Sequence, residues 1–161
     1  MKEQDKIKES MQELFQCVGH TLFTAQLMEK ELAFLLLIPE IKEKYKLPSE
    51  KSIYELASEE IIHETIRKLN KITFGTLIKK LKTTGIMDTD SGELLQEALD
   101  ERNFLAHHFF DHYQGKMNDL ETHKIMHERL SNMKEIFTDV FDGLHQENLR
   151  IMKIIGINNE A

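Results

Sequence analysis

The stretch IKESMQELFQCVGHTLFTAQLMEKELAFL, residues 7–35, points to the architecture of the chain because its apolar residues recur at steps of three and four. This spacing places them on one face of an α-helix, which has about 3.6 residues per turn. The pattern predicts a helix from about residue 4 to residue 37, and Pro39 is expected to end it. The apolar face consists of Ile7, Met11, Leu14, Val18, Leu22, Ala25, Met28, Leu32 and Leu35.

Two shorter helical regions are predicted after this first helix. A connector runs through Pro48, and helical spacing then resumes from about Ser49 to Leu69, with a break near Ser58. Thr73 stands in the N-cap position of a short helix, FGTLIKKLK, which is expected to end near Gly85. The middle of the chain therefore keeps a helical pattern.

Two further helices complete the sequence pattern. Asp90, with Glu93 three residues later, forms a capping-box-like start, and Gly115 lies just beyond the end of the helix that begins there. The last helix is predicted from about Asn118 to Ile155, with Gly156 as its C-terminal stop. Its apolar stripe consists of Leu120, Leu130, Met133, Phe137, Val140, Leu144 and Ile151.

The composition agrees with a helical protein of one domain. The 161 residues are 40% hydrophobic and 30% charged, and they include two prolines, seven glycines and no tryptophan. A chain of this size and balance supplies enough apolar material for one compact core. Because four main helices with short connections pack as a mostly antiparallel bundle, the prediction is an all-α, antiparallel four- to five-helix bundle over residues 1–161.

The first residues and the single cysteine indicate the cellular compartment of the protein. The start, MKEQDKIKESMQ, lacks the apolar region of a secretory signal, and no run approaches the roughly 18 apolar residues of a membrane span. Cys17 has no second cysteine with which to form an internal disulfide, and we expect it to be a structural residue. We therefore expect a cytoplasmic protein that does not associate with membranes.

Positive charge is concentrated in one part of an acidic chain. The formal net charge is −7 at neutral pH, which argues against a general affinity for nucleic acid. Residues 65–87, however, contain no Asp or Glu, and this basic segment could be either an ordinary solvated face or a surface that guides RNA. Its six basic residues are the candidate substrate-binding residues: Arg67, Lys68, Lys71, Lys79, Lys80 and Lys82.

A second unusual stretch is ERNFLAHHFFDH, residues 101–112, on the helix that begins near Asp90. At about 100° per residue, Arg102 falls in the apolar sector of that helix. A guanidinium keeps its charge, so in this sector it needs a carboxylate, a phosphate or a route to water. One interpretation is a structural arginine paired with an acid of the core, such as Glu29 or Glu31. The apolar residues of the sector are Leu95, Leu99, Ala106, Phe109 and Tyr113.

The other interpretation is a site that cleaves RNA without a metal. Asn103 and His107 flank the same sector, and an imidazole can accept or donate the proton of a ribose hydroxyl. Arg102 would stabilise the charge that develops on the phosphate in the transition state. Arg102 and His107 point about 140° apart around a straight helix, so one helix alone makes a poor pocket. A two-fold axis beside this helix would bring two such sets into one cleft.

The segment RNFLAHHF, residues 102–109, resembles the signature of the HEPN family: an arginine, a polar residue, and a histidine about one and a half helical turns later. The resemblance implies a metal-independent endoribonuclease on a small helical bundle, with Arg102, Asn103 and His107 as catalytic residues and no cofactor. It also implies RNA as substrate, a homodimer with a shared site, and a toxin–antitoxin, phage-defence or CRISPR setting in which an antitoxin is a further partner. Phe109 stands where one toxin subgroup has tyrosine, so the resemblance does not extend to that subgroup.

Two alternative classes remain open. His123 and His127 are four residues apart, a spacing that can bind zinc or iron in a helical bundle. Such sites add Glu-x-x-His pairs on facing helices. Glu60 and His63 form one such pair, but Phe104 stands where a second pair needs glutamate. The remaining class is a bundle of HEPN shape without chemistry, acting as a dimerisation or binding module.

Overall fold

The computed structural model of the chain describes residues 3–46, 59–69, 71–84 and 89–154. Within these ranges the chain is helical, with short connections and no β-strand, which confirms the predicted all-α bundle. None of the helices in these ranges combines the length and the apolar composition that a bilayer span requires. The helices are α1 (Glu3–Leu35), α2 (Leu37–Tyr45), α3 (Glu59–Leu69), α4 (Phe74–Thr84), α5 (Thr89–His107), α6 (Phe109–Tyr113) and α7 (Leu120–Ile154).

The most extensive helix contact joins α1 to α7, and the two helices are parallel. Near their first turns the Ser10 hydroxyl contacts the His123 ring at 2.9 Å, and towards their last turns Asn148 donates to the Glu31 carbonyl at 2.9 Å. The apolar stripes predicted for both helices form the centre of the core. Its most buried members on these helices are Leu14, Met28, Leu32, Met126, Met133 and Phe137.

The helix pair α5–α6 packs antiparallel to α1. Phe110 lies against Phe15 with ring centroids 5.4 Å apart, while Arg102, eight residues earlier, reaches Glu29. α4 runs antiparallel to α5, since Gly75 lies against Leu99 and the Lys82 side chain lies close to Gly92. The predicted antiparallel packing therefore holds for α4 and α5, whereas the two longest helices depart from it.

The first predicted helix end needs a correction. Pro39 does not start a connector: the chain turns at Leu36 and continues as α2, with Pro39 in the first turn of that helix. The N–H groups of a first turn have no partner within the helix, so a proline there breaks no hydrogen bond. The Glu40 N–H still donates to the Leu36 carbonyl at 3.0 Å. Residues 49–58, also predicted as partly helical, lie outside the described ranges.

The starts of α4, α5 and α7 lie within one or two residues of the predicted ones. The Thr73 carbonyl accepts the first hydrogen bonds of α4, from Thr76 and Leu77 at 2.9 and 3.0 Å. α5 starts at Thr89, which places the predicted cap Asp90 one residue inside the helix. α7 is capped by Asp119, whose carboxylate accepts hydrogen bonds from the two following turn residues, Glu121 and Thr122. The predicted stop at Gly156 falls outside the described residues.

The motif helix is interrupted at His108, although the sequence predicted one helix to the vicinity of Gly115. His108 has φ −129° and ψ −12°, and it separates α5 from the short α6. Helical hydrogen bonds span the interruption, from His108 N to Phe104 O and from His112 N to His108 O, each 2.8 Å. Gly115, with φ +93°, ends this segment in a conformation that favours glycine. The interruption therefore ends α5 at His107, and α6 begins at Phe109, directly after His108.

Candidate functional site

Arg102 is held by an ion pair across the α1–α5 interface. Its Nε donates to Glu29 Oε1 at 2.7 Å, and its Nη1 lies 3.4 Å from Asn103 Oδ1. The Arg102 side chain remains 31% exposed and the Glu29 side chain 26%. The pairing with an acid from another helix, which the sequence left open between Glu29 and Glu31, is thus formed with Glu29. The guanidinium presents its Nη side to Asn103.

The buried face of α5 is rotated from the predicted one by about 45°, roughly half of the 100° step between successive residues. Ala106 is exposed rather than in the apolar sector, and Leu99 and Tyr113 are only half-buried. Arg102 still shares the register of the face that is buried, because it lies four residues after Ala98 and three before Leu105. The most buried residues of α5 and α6 are Leu95, Ala98, Leu105 and Phe109.

Asn103 and His107 are both exposed to solvent. His107 is the last residue of α5, and its ring centroid is 6.3 Å from that of His108, which is also exposed. Asn103 is brought next to Arg102, whereas His107 lies on a different face of the helix, as its five-residue separation requires. One chain therefore presents the three motif residues along α5 and does not gather them into one pocket.

A second arginine, which the sequence analysis missed, lies next to the motif. Arg129 of α7 forms an ion pair with Glu101, and its guanidinium lies over the Phe104 ring, 5.6 Å from the centroid. The Glu101 side chain is only 15% exposed, and its Oε2 is buried with no hydrogen-bond partner among the described residues. The acid stood in the quoted motif, but no local pattern could indicate a partner 28 residues away.

The basic segment lies along α3 and α4 and is partly neutralised. Lys80 forms an ion pair with Glu40, and Lys68 pairs with Glu64 at 2.6 Å. Lys82 lies near Gly92, in the first turn of α5, whereas His107 ends that helix about 22 Å further along its axis. Four of the six candidate binding residues are exposed and have no ion pair among the described residues: Arg67, Lys71, Lys79 and Lys82.

His123, one of the two histidines that suggested a metal site, makes hydrogen bonds to protein groups with both ring nitrogens. His123 is 1% exposed; its Nε2 contacts the Met117 carbonyl and its Nδ1 the Ser10 hydroxyl, both at 2.9 Å. Because a carbonyl only accepts, Nε2 carries the proton and Nδ1 accepts from Ser10. Both ring nitrogens are thereby occupied, so His123 is not free to join His127 on a metal ion. Among the described residues, no three His, Cys, Asp or Glu side chains converge on a possible metal position.

Comparison with known proteins gives no match: no protein-family model, no curated protein and no solved structure matches the chain. The resemblance to HEPN proteins thus depends on the motif residues of α5 themselves. A functional assignment has to come from the side chains around Arg102, Asn103 and His107.

Proposed function

We propose that the protein is a metal-independent endoribonuclease of HEPN type, with a composite site formed by two copies of α5. The observation that carries the proposal is the orientation of Arg102. Glu29 binds the Nε edge of the guanidinium, so the Nη side is directed towards exposed Asn103. Two parallel N–H groups on that side suit a phosphate, which arginine binds in a bidentate manner. An imidazole that is open to solvent, His107, follows on the same helix.

Each motif residue has a defined role in the proposed reaction. His107 takes the proton of the ribose 2′-hydroxyl, the 2′-oxygen attacks phosphorus, and the bond to the 5′-oxygen breaks. The leaving 5′-oxygen gains a proton, which the histidine of the second copy supplies. Arg102 stabilises the negative charge on the phosphate in the transition state, and Asn103 orients the guanidinium. The products are a 2′,3′-cyclic phosphate and a 5′-hydroxyl end.

A second copy of the chain supplies what one chain lacks. Arg102 and His107 lie on different faces of α5, so one helix does not bring them together. A two-fold axis beside α5 would place two copies of the helix against each other and form a cleft lined by Arg102 and His107 of both copies. An apolar surface lies beside the end of α5: Phe15 is 56% exposed and its ring lies tilted against that of half-buried Phe110. This Phe15–Phe110 patch supports a homodimer with the motif helices near its axis. The proposed setting is a cytoplasmic toxin or phage-defence system, with an antitoxin as a further partner.

A second candidate function is favoured by the same ion pair. Glu29 already balances the charge of Arg102, which is what a structural arginine at a helix interface requires. On that basis the protein would be a bundle of HEPN shape that dimerises or binds a partner without cleaving RNA. The two candidates share the fold and the dimer and differ in the chemistry of His107.

Single alanine variants separate the two candidates. Loss of a proton-transfer group lowers a rate by about 10²–10⁴-fold, so His107→Ala and Arg102→Ala should each nearly abolish RNA cleavage. His108→Ala is the matched control, because His108 is the adjacent residue and is also exposed but lies just beyond the end of α5. Cleavage is measured on varied RNAs with EDTA present, and DNA of the same sequence should stay intact because it lacks the 2′-hydroxyl.

Two results would contradict the ribonuclease proposal. Cleavage by His107→Ala at the rate of the unmodified protein would show that the residue assignment is wrong. Absence of cleavage across RNAs of varied sequence and structure would leave the dimerisation or binding module as the function.

A further inference from the structure

A cleft of about 380 Å³ opens between α1, α3 and α7. Its walls are mainly apolar and include Phe34, Ile66 and Met152, and its polar lining includes Glu31, His145 and Asn148. This volume and this balance of apolar walls with a few polar groups are typical of sites for small molecules. The polar residues of this cleft belong neither to the HEPN-like motif nor to the basic segment.

The polar end of the cleft is a fixed chain of hydrogen bonds. Asn148 is 3% exposed, and its Nδ2 donates to Glu31 Oε2 at 2.6 Å and to the Glu31 carbonyl at 2.9 Å. The other carboxylate oxygen, Oε1, lies 3.2 Å from His145 Nδ1. The Phe141 ring stacks on the His145 ring, with an interplanar angle of 7° and centroids 5.6 Å apart. These contacts fix the orientation of the imidazole, and in a neutral ring they place the proton on Nδ1, because the carboxylate only accepts.

The arrangement leaves Asn148 Oδ1 as a buried acceptor without a donor among the described residues, and it makes Nε2 of neutral His145, a side chain that is 43% exposed, a second acceptor. When neutral His145 donates from Nδ1 to Glu31, its Nε2 is an acceptor. The Asn148 amide cannot be reversed, because both partners of its Nδ2 are acceptors. Asn148 Oδ1 is consequently a buried acceptor, and it has no hydrogen-bond partner among the described residues. Buried polar groups without partners are uncommon in folded proteins, and an unfilled ligand position is one physical reason for them.

We propose that this cleft binds a small, largely apolar molecule that carries an N–H or O–H donor, and that the donor is received by His145 Nε2. The apolar body of such a ligand would lie between Phe34, Ile66 and Met152. The site is distinct from the one at Arg102. Glu29 and Glu31 are two residues apart and point about 200° apart around α1, so Glu29 contacts α5 and Glu31 contacts α7. The proposal does not depend on ribonuclease activity.

Indole and 1-methylindole are matched probes for this proposal, since they differ only in the N–H donor. We expect indole to bind the unmodified protein and to shift the NMR signals of the His145 ring and the Met152 methyl group. Without the donor, 1-methylindole should bind up to about tenfold more weakly, the effect of one unmade hydrogen bond. Equal affinities, or no shift at His145 with either probe, would overturn the proposal.

His145→Phe tests the residue itself. Phenylalanine keeps an aromatic ring against Phe141 but has no acceptor, so the preference for indole over 1-methylindole should disappear. His127→Phe is the matched control: it makes the same change on α7, 18 residues and about 27 Å from His145, and should keep the preference. Loss of the preference in both variants would contradict the assignment to His145.

The tautomer of His145 can be measured in the unmodified protein, which avoids any effect of substitution on folding. In the neutral form of the ring, the ¹⁵N shifts should report a proton on Nδ1 and none on Nε2. Free histidine favours the opposite tautomer in water. Finding the proton on Nε2 in the folded protein would remove the acceptor that the proposal requires.

Discussion

Arg102 and Glu29 join the motif helix to α1 through one hydrogen bond of 2.7 Å, with both side chains about one-third to one-quarter exposed. An arginine in the register of a buried face is tolerated there because its charge is balanced and its head group still reaches water. The same contact sets the direction of the guanidinium. It therefore bears on stability and on the proposed chemistry together.

Glu29 and Arg102 should be energetically coupled. In a double-mutant cycle with Glu29→Gln and Arg102→Met, we expect a coupling free energy of about 1 kcal/mol in urea unfolding, because the pair is partly shielded from water. Glu121→Gln with Lys124→Met is the control cycle, on a pair within α7 whose two side chains are 68% and 70% exposed. Its coupling should be smaller, because water screens an exposed pair. Equal coupling free energies in the two cycles would show that the position of the Glu29–Arg102 pair between two helices does not strengthen it.

The Phe15–Phe110 patch should hold the dimer together. Phe15→Glu places a charge in an apolar contact and should weaken dimerisation by at least about tenfold, as measured by analytical ultracentrifugation. Phe23→Glu is the matched control, since Phe15 and Phe23 lie on the same helix and are 56% and 58% exposed. A monomeric unmodified protein at micromolar concentration, or equal loss in both variants, would contradict the proposed axis.

Lys79 and Lys82, the two lysines of α4 that have no ion pair among the described residues, should contribute to RNA binding. Lys79→Glu with Lys82→Glu should weaken binding and reduce the slope of log affinity against log salt by roughly 1–2, because about two phosphate contacts are lost. Lys124→Glu with Lys134→Glu makes the same charge change on exposed positions of α7 and is the control. If both pairs weaken binding alike, only the overall charge matters and the basic segment is an ordinary solvated face.

Asp119 should make the start of α7 sensitive to acid. Hydrogen bonds from the Thr122 hydroxyl and from the backbone N–H groups of Glu121 and Thr122 hold the pKa of Asp119 below its usual range. A carboxyl whose pKa is lower in the folded state stabilises the protein above the unfolded pKa of about 3.9, and this contribution is lost as pH falls through the folded pKa.

The amide variant isolates the charge of this cap. Asp119→Asn keeps a capping oxygen but has no charge, so its Tm should lie below that of the unmodified protein at pH 7. The difference should close as the pH is lowered below about 4. A difference that stays constant down to pH about 2 would show that the charge of Asp119 is not what stabilises the helix.

Local patterns in the sequence were sufficient to locate the two longest helices and insufficient to identify which helices they contact. The three- and four-residue spacing placed α1 and α7 to within a few residues, because burial of one face decides both helices. The parallel orientation of this pair depends on contacts between residues more than 100 apart, such as Ser10 with His123, which no local pattern contains. The prediction that Pro39 starts a connector was wrong because a proline is tolerated in the first turn of a helix. Here α2 begins at Leu37, two residues before Pro39.

The candidate sites show the same division. Arg102 was identified from its position in an apolar sector, and an acid on another helix was expected, but the choice between Glu29 and Glu31 depends on how α1 is rotated. His145 could not be singled out, because its environment comes from Glu31 on α1 as well as from its own helix. Arg129 could not be singled out either, because its partner Glu101 lies on another helix.

The parallel pairing of α1 with α7 also has a consequence during synthesis on the ribosome. The two contacting residues Ser10 and His123 are 113 residues apart, so the apolar face of α1 emerges long before its main partner exists. At roughly 5–20 residues per second, this interval lasts about 6–23 s. During that time the nascent α1 presents an uncovered hydrophobic stripe, which is the kind of surface that chaperones recognise. Production of the folded protein should accordingly depend on chaperone capacity more strongly than for a bundle whose successive helices cover one another.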